Sequence, residues 1–114
     1  MLPRVNGVIV RRMFLLQLFL PVYDRAGRPF PKPMFDAVRA ELAQRHGGVT
    51  AYLRSPAVGL WEDEGGAIER DDVLLFEVMV EAIDRPWWAG FRRELERRFA
   101  QDEILLRYSA TERL

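Results

Sequence analysis

The chain holds 114 residues, 49% of them hydrophobic and 30% charged, and its 17 basic and 17 acidic residues cancel to a net charge of +0. That length suits one domain with a single modest core, and the balanced charge argues against a dedicated nucleic-acid binder, whose affinity rests on neutralising phosphates. The lack of cysteine excludes disulfides, thiolate metal sites and a cysteine nucleophile.

Residues 13–21 are a short apolar run behind Arg11-Arg12. Gln17 and Pro21 interrupt it, no small-residue cleavage site follows, and it is too short to span a bilayer. A buried strand is expected there, in a cytoplasmic protein with no membrane partner. Met13 would be a natural start. Residues 1–12 are then a loosely ordered extension, and residues 13–114 the single domain.

Residues 14–23 alternate, with Phe14, Leu16, Leu18, Leu20 and Val22 on one face and Leu15, Gln17, Phe19, Pro21 and Tyr23 on the other. Two nearly apolar faces predict a central strand, β1. Residues 24–33 are a Pro/Gly-rich loop, either a flap over a site or a plain connection. Residues 33–45 predict helix α1, with a core stripe of Phe35, Val38, Leu42 and His46 and a stop at Gly47-Gly48. His46 is the single histidine and a candidate general base, although a histidine with no partner in the pattern is more often structural.

Residues 49–54 predict β2, and Ser55-Pro56 behind it suits an edge strand. An extended path is expected to resume at Val58 and run to Trp61. Glu62-Asp63-Glu64-Gly65-Gly66 predicts an acidic hairpin tip, and its spacing matches no calcium loop. Residues 73–83 are the most strand-like run and predict β3, with Leu74, Phe76, Val78, Val80 and Ala82 on an apolar face and Glu77 and Glu81 on the other. Asp84 is a natural N-cap for helix α2, whose stripe is Trp88, Phe91, Leu95 and Phe99. Helical spacing pairs Arg92 with Glu96 and Glu94 with Arg98 on its outside. Residues 103–109 predict β4, and residues 110–114 a short tail.

The order βαββαβ is that of a ferredoxin-like α+β fold, a four-stranded antiparallel sheet in the order 4-1-3-2 with both helices on one face. The other sheet face would carry Leu15, Gln17, Phe19, Thr50, Tyr52, Arg54, Leu75, Glu77, Met79, Glu81 and Arg107. Large apolar side chains on a face left uncovered mark an interface or a ligand site.

The segments Gly47-Gly48-Val49-Thr50, Gly59-Leu60-Trp61 and Gly65-Gly66 resemble a Gly-Gly-x-Thr…Gly-x-Trp…Gly pattern shared by small uncharacterised bacterial proteins. That resemblance implies no catalytic residues. The layout is also similar to the dimeric α+β barrel superfamily, which includes small monooxygenases, muconolactone isomerases and stress-induced barrel proteins. It implies a homodimer joined through the sheet face.

Three functions compete on these residues. A cofactor-free enzyme, isomerase- or monooxygenase-like, would use Glu77 as general base in a pocket between sheet and helices, with Gln17, Tyr52, Arg54, Trp61 or Arg107 holding a small molecule. A structural or regulatory module would spend the open face on self-association. Single-stranded RNA binding fits poorly, because β3 offers Glu77 and Glu81 where such sheets need aromatic and cationic groups. No cofactor, metal or nucleic-acid partner is expected.

Overall fold

The computed structural model describes residues 4–5, 8–9, 11–54 and 72–114. Its main body is a four-stranded antiparallel sheet with two helices. In chain order the elements are β1 (Arg11–Pro21), α1 (Lys32–His46), β2 (Thr50–Arg54), β3 (Val73–Val80), α2 (Arg85–Arg98) and β4 (Leu106–Arg113). Across the sheet the strands run 2-3-1-4, which has the same neighbours as 4-1-3-2 read from the opposite edge. A separate two-stranded ribbon pairs Arg4–Val5 with Val8–Ile9. Among the described residues no helix is long and apolar enough to cross a membrane. The expected extended path at residues 58–61 and the acidic tip at residues 62–66 lie outside the described residues.

The register of β1 against β3 sets which side chains meet the helices. Leu16 opposes Val78, Leu18 opposes Phe76 and Leu20 opposes Leu74. Leu16, Leu18, Leu20, Phe76 and Val78 join Val38 and Leu42 of α1 and Trp88, Phe91, Leu95 and Phe99 at α2 in one buried cluster. Both helices therefore cover the same face of the sheet, and the expected stripes of both supply the core.

The helix ends follow local chemistry. Gly47 closes α1 at φ 80°, its N–H donating to the Ala43 carbonyl at 2.8 Å, a left-handed cap that glycine adopts without a Cβ penalty. Asp84 caps α2 by accepting from the Trp87 N–H at 3.2 Å. At the far end of α2, Gln101 N–H donates to the Glu96 carbonyl and Ala100 N–H to the Arg97 carbonyl, which is the Schellman pattern. The left-handed position there belongs to Ala100, at φ 50°.

Several expected boundaries are corrected. β3 ends at Val80, not at residue 83. Glu81 and Ala82 are exposed beyond the strand, while Ile83 packs on the core. The chain has to leave the sheet plane here to enter α2 at Asp84, so Glu81 does not share the sheet face with Glu77. β1 starts at Arg11 and ends at Pro21, and β4 is displaced to Leu106–Arg113, so residues expected to be a tail are paired strand. The pairing is mutual: Arg11 opposes Arg113, Arg12 opposes Glu112 and Met13 opposes Thr111. On the outside of α2, Glu94 pairs with Arg97 and Arg98, and Arg98 reaches across to Glu41 of α1 at 2.6 Å. Glu96 instead accepts from the Ile104 N–H at 2.9 Å, which ties the start of the last strand segment to the helix.

Replacing Ala100 with glycine should stabilise the fold by up to about 1 kcal/mol, since an L-residue in the left-handed region costs about 1–2 kcal/mol and the added unfolded-state entropy offsets part of the gain. Leu95→Ala, at a side chain with no exposure, should cost about 2–5 kcal/mol. Urea unfolding reads both, as a raised and a lowered midpoint at unchanged slope. An unmoved midpoint in the alanine variant would contradict the packing described.

Candidate functional site

Alternation along β1, β3 and β4 brings three of the expected residues together on the face away from the helices. Gln17 is the cross-strand partner of both Glu77 and Arg107, and Glu77 is in turn opposite Thr50. A polar row thus crosses all four strands at one level. Three of its side chains are joined. The Gln17 Nε2 donates to Glu77 Oε2 at 2.8 Å, and Arg107 Nε donates to Gln17 Oε1 at 2.9 Å. Only this orientation of the Gln17 amide matches donor to acceptor at both ends, because the guanidinium has only donors and the carboxylate only acceptors. The Arg107 guanidinium also lies 4.9 Å from the centre of the Phe19 ring, a cation–π contact.

This arrangement links a cation to an anion through a neutral amide. Glu77 and Gln17 are half-buried and Arg107 is exposed, so the Gln17–Glu77 contact is partly shielded from water while the Arg107–Gln17 contact lies open to it. Apolar groups flank the row. Leu15 and Met79 oppose each other on one side of it, and Phe19 and Leu75 on the other. Their exposure differs: Leu75 is 2% exposed although it lies outside the helix-side core, whereas Met79 is 49% exposed and Leu105, at the sheet edge beside Phe19, 52%.

The remaining expected site residues are distributed differently. The backbone of β2 places Tyr52 opposite Leu75, level with the flanking Phe19–Leu75 pair, and Arg54 opposite Val73, two residues further along. Trp61 lies outside the described residues. Glu77 faces away from α1 and α2, so the expected pocket between sheet and helices cannot contain it. Arg107, expected to help hold a small molecule, is linked to Glu77 through Gln17.

His46 is not brought near Glu77. It closes α1 among the tryptophans of α2, its ring stacked on Trp88 at 4.9 Å and 10° and edge-on to Trp87 at 5.1 Å. Arg45 beside it lies over the Trp87 ring at 4.8 Å and pairs with the capping Asp84 at 3.1 Å. The His46 Nε2 and Trp88 Nε1 atoms are buried, with no hydrogen-bond partner among the described residues. Burial, followed by the positive charge of Arg45, holds the His46 pKa below its ordinary value of 6.5. On the outer surface, hydrogen bonds from Arg97 and Arg98 pull the Glu94 carboxyl down to about 2.

Sequence reasoning missed two contacts: the pairing of Phe19 with Arg107, which alternation alone places on one face without joining, and the association of His46 with Trp87. For the second, the signal was a histidine in the last turn of one helix and adjacent tryptophans in the first turn of the next.

No protein-family model and no curated protein matches the chain. Among solved structures, it is similar to a phage SAM lyase in complex with S-methyl-5'-thioadenosine, with a TM-score of 0.56 and 10% sequence identity over 89% of this chain and 88% of that one. At that identity the likeness is one of fold.

A histidine whose folded pKa is lowered binds fewer protons than it does in the unfolded chain, so its contribution favours stability as pH rises. Stability should be full above the ordinary value of 6.5 and fall as pH drops below it. His46→Phe keeps an aromatic ring against Trp88 and removes the titration, so its stability should change less between about pH 7.5 and about pH 5. Thermal or urea midpoints across that range test this, and equal slopes in both proteins would contradict it.

Proposed function

We propose that the chain is a ferredoxin-like domain of the cytoplasm that works as a homodimer, with the sheet face opposite the helices as its working surface. The observation that carries this is the polar row Glu77–Gln17–Arg107 framed by Leu15, Phe19, Met79 and Leu105. A face meant only for water has no need of those apolar groups. Covering an exposed Met or Leu is worth about 1.5–3 kcal/mol, and a joined polar row gives the contact a defined register in place of a featureless apolar patch. Four strands at about 4.8 Å spacing and eight residues at about 3.3 Å rise give a flat footprint of roughly 500 Å². Side-chain relief enlarges this toward the ~800 Å² per partner of a stable interface.

A second reading is favoured by the held carboxylate. Glu77 is half-buried and fixed by Gln17, which is the condition for a positioned general base in a cofactor-free enzyme. The fold likeness to a phage SAM lyase makes SAM the first substrate to offer, with release of S-methyl-5'-thioadenosine as the readout. Product formation by the wild type and its loss in Glu77→Gln support this reading. No product from the wild type counts against it and leaves the dimer reading intact.

For the dimer, sedimentation velocity across the micromolar range should show reversible self-association. The double variant Met79→Asp with Leu105→Asp should remain monomeric, since it places carboxylates where apolar contacts would form. Both positions are already exposed, so the fold should survive, as circular dichroism will check. A wild type that stays monomeric throughout would overturn the proposal.

A further inference from the structure

The helix side of the sheet carries a cavity that Glu77 does not line. Between the first half of α1 and strand β3 lies an open cavity of about 320 Å³, within the size range of small-molecule pockets. Leu74 and Phe76 line it from the sheet, Phe30 from the loop before α1 and Phe35 from the helix. Its polar lining consists of Lys32, Asp36 and Arg39.

The aromatic wall is held in place. The loop carrying Phe30 is tied by Asp24, whose carboxylate accepts from the Ala26 and Arg28 N–H groups, both at 2.9 Å. The Phe30 N–H donates to the Val22 carbonyl at 2.9 Å, and the Asp24 N–H to the Arg28 carbonyl at 2.7 Å. The Phe30 ring then meets the buried Phe99 edge-on at 5.0 Å, and Phe35 meets Phe99 at 5.4 Å. The loop is thus a fixed wall, not a flap, and a ligand would meet it without ordering it first.

The charges select the ligand. Lys32 is neutralised by Asp36 at 2.9 Å. Arg39 has no ion-pair or hydrogen-bond partner among the described residues. Arg39 thus lines an apolar floor with its donors unspent on the described residues, an arrangement that suits a carboxylate. The larger groove between α1 and α2 differs: there Arg98 is shared by Glu41 and Glu94, and Arg45 by Asp84 and Trp87.

We propose that this cavity binds an amphipathic carboxylate, with an alkyl or aryl body on Phe30, Phe35, Leu74 and Phe76 and the carboxylate on Arg39. Octanoate is the probe, and its neutral counterpart octanol the comparison. In titrations followed by amide chemical shifts, octanoate should give saturable changes centred on Phe30, Phe35, Arg39 and Leu74. Arg39→Gln should retain the wild-type spectrum yet bind octanoate about tenfold more weakly, the effect of about 1.4 kcal/mol. Octanol should bind both proteins with the weaker affinity. Equal affinity of octanoate for wild type and Arg39→Gln, shifts centred on Met79 and Leu105, or no saturable shift into the millimolar range would each overturn the proposal.

Discussion

Strands β1 and β3 are paired over eight residues, from Phe14–Val80 to Pro21–Val73, and every other feature inherits its position from that register. Because side chains alternate along a strand, a slip of one residue would exchange the two faces of either strand. It would present Glu77 or Gln17 to the helices and Phe76 or Leu18 to the far side. The cost of placing a carboxylate or an amide against Val38, Leu42, Leu95 and Phe99 excludes that alternative. The helix-side core and the polar row are two consequences of one pairing.

Much of this was legible in the sequence. Alternation and helical stripes placed the core residues of β1, β3, α1 and α2, and turn chemistry placed the Asp84 cap and the Gly47 stop. What failed was decided by pairing between distant segments. Residues 110–113 have weak strand character of their own and become strand because residues 11–14 lie opposite them. Glu81 continues the alternation of β3 on paper, but the turn into α2 takes it out of the sheet. The short ribbon of Arg4–Val5 with Val8–Ile9 has a local signal, the intervening sequence Asn6-Gly7, which is the strongest short hairpin dipeptide. The candidate site was half legible: period two gathers Gln17, Glu77 and Arg107 on one face, yet the amide-mediated link and the Phe19 contact depend on rotamers that a pattern does not specify.

The two faces divide the chemistry between them. On the helix side, aromatic packing of Phe30, Phe35 and Phe99 leaves a cavity beside Arg39, which has no ion-pair partner among the described residues. On the far side, charge is held in a row and apolar groups remain partly open. Leu75 shows that the far face is already covered in part, while Met79 shows that the cover stops short of its other end. A self-associating face and a small-molecule cavity on opposite sides of one sheet can act without obstructing each other, because their side chains never share a residue.

The most direct measurement of whether that far face is an interface is methyl NMR of the concentrated protein with a soluble paramagnetic probe. An interface there shields the Met79 methyl from the probe, leaves it accessible on dilution, and gives contacts to Leu15 or Phe19 of a second copy in isotope-filtered spectra. A Met79 methyl that stays fully accessible at every concentration, with no contact between copies, would contradict it.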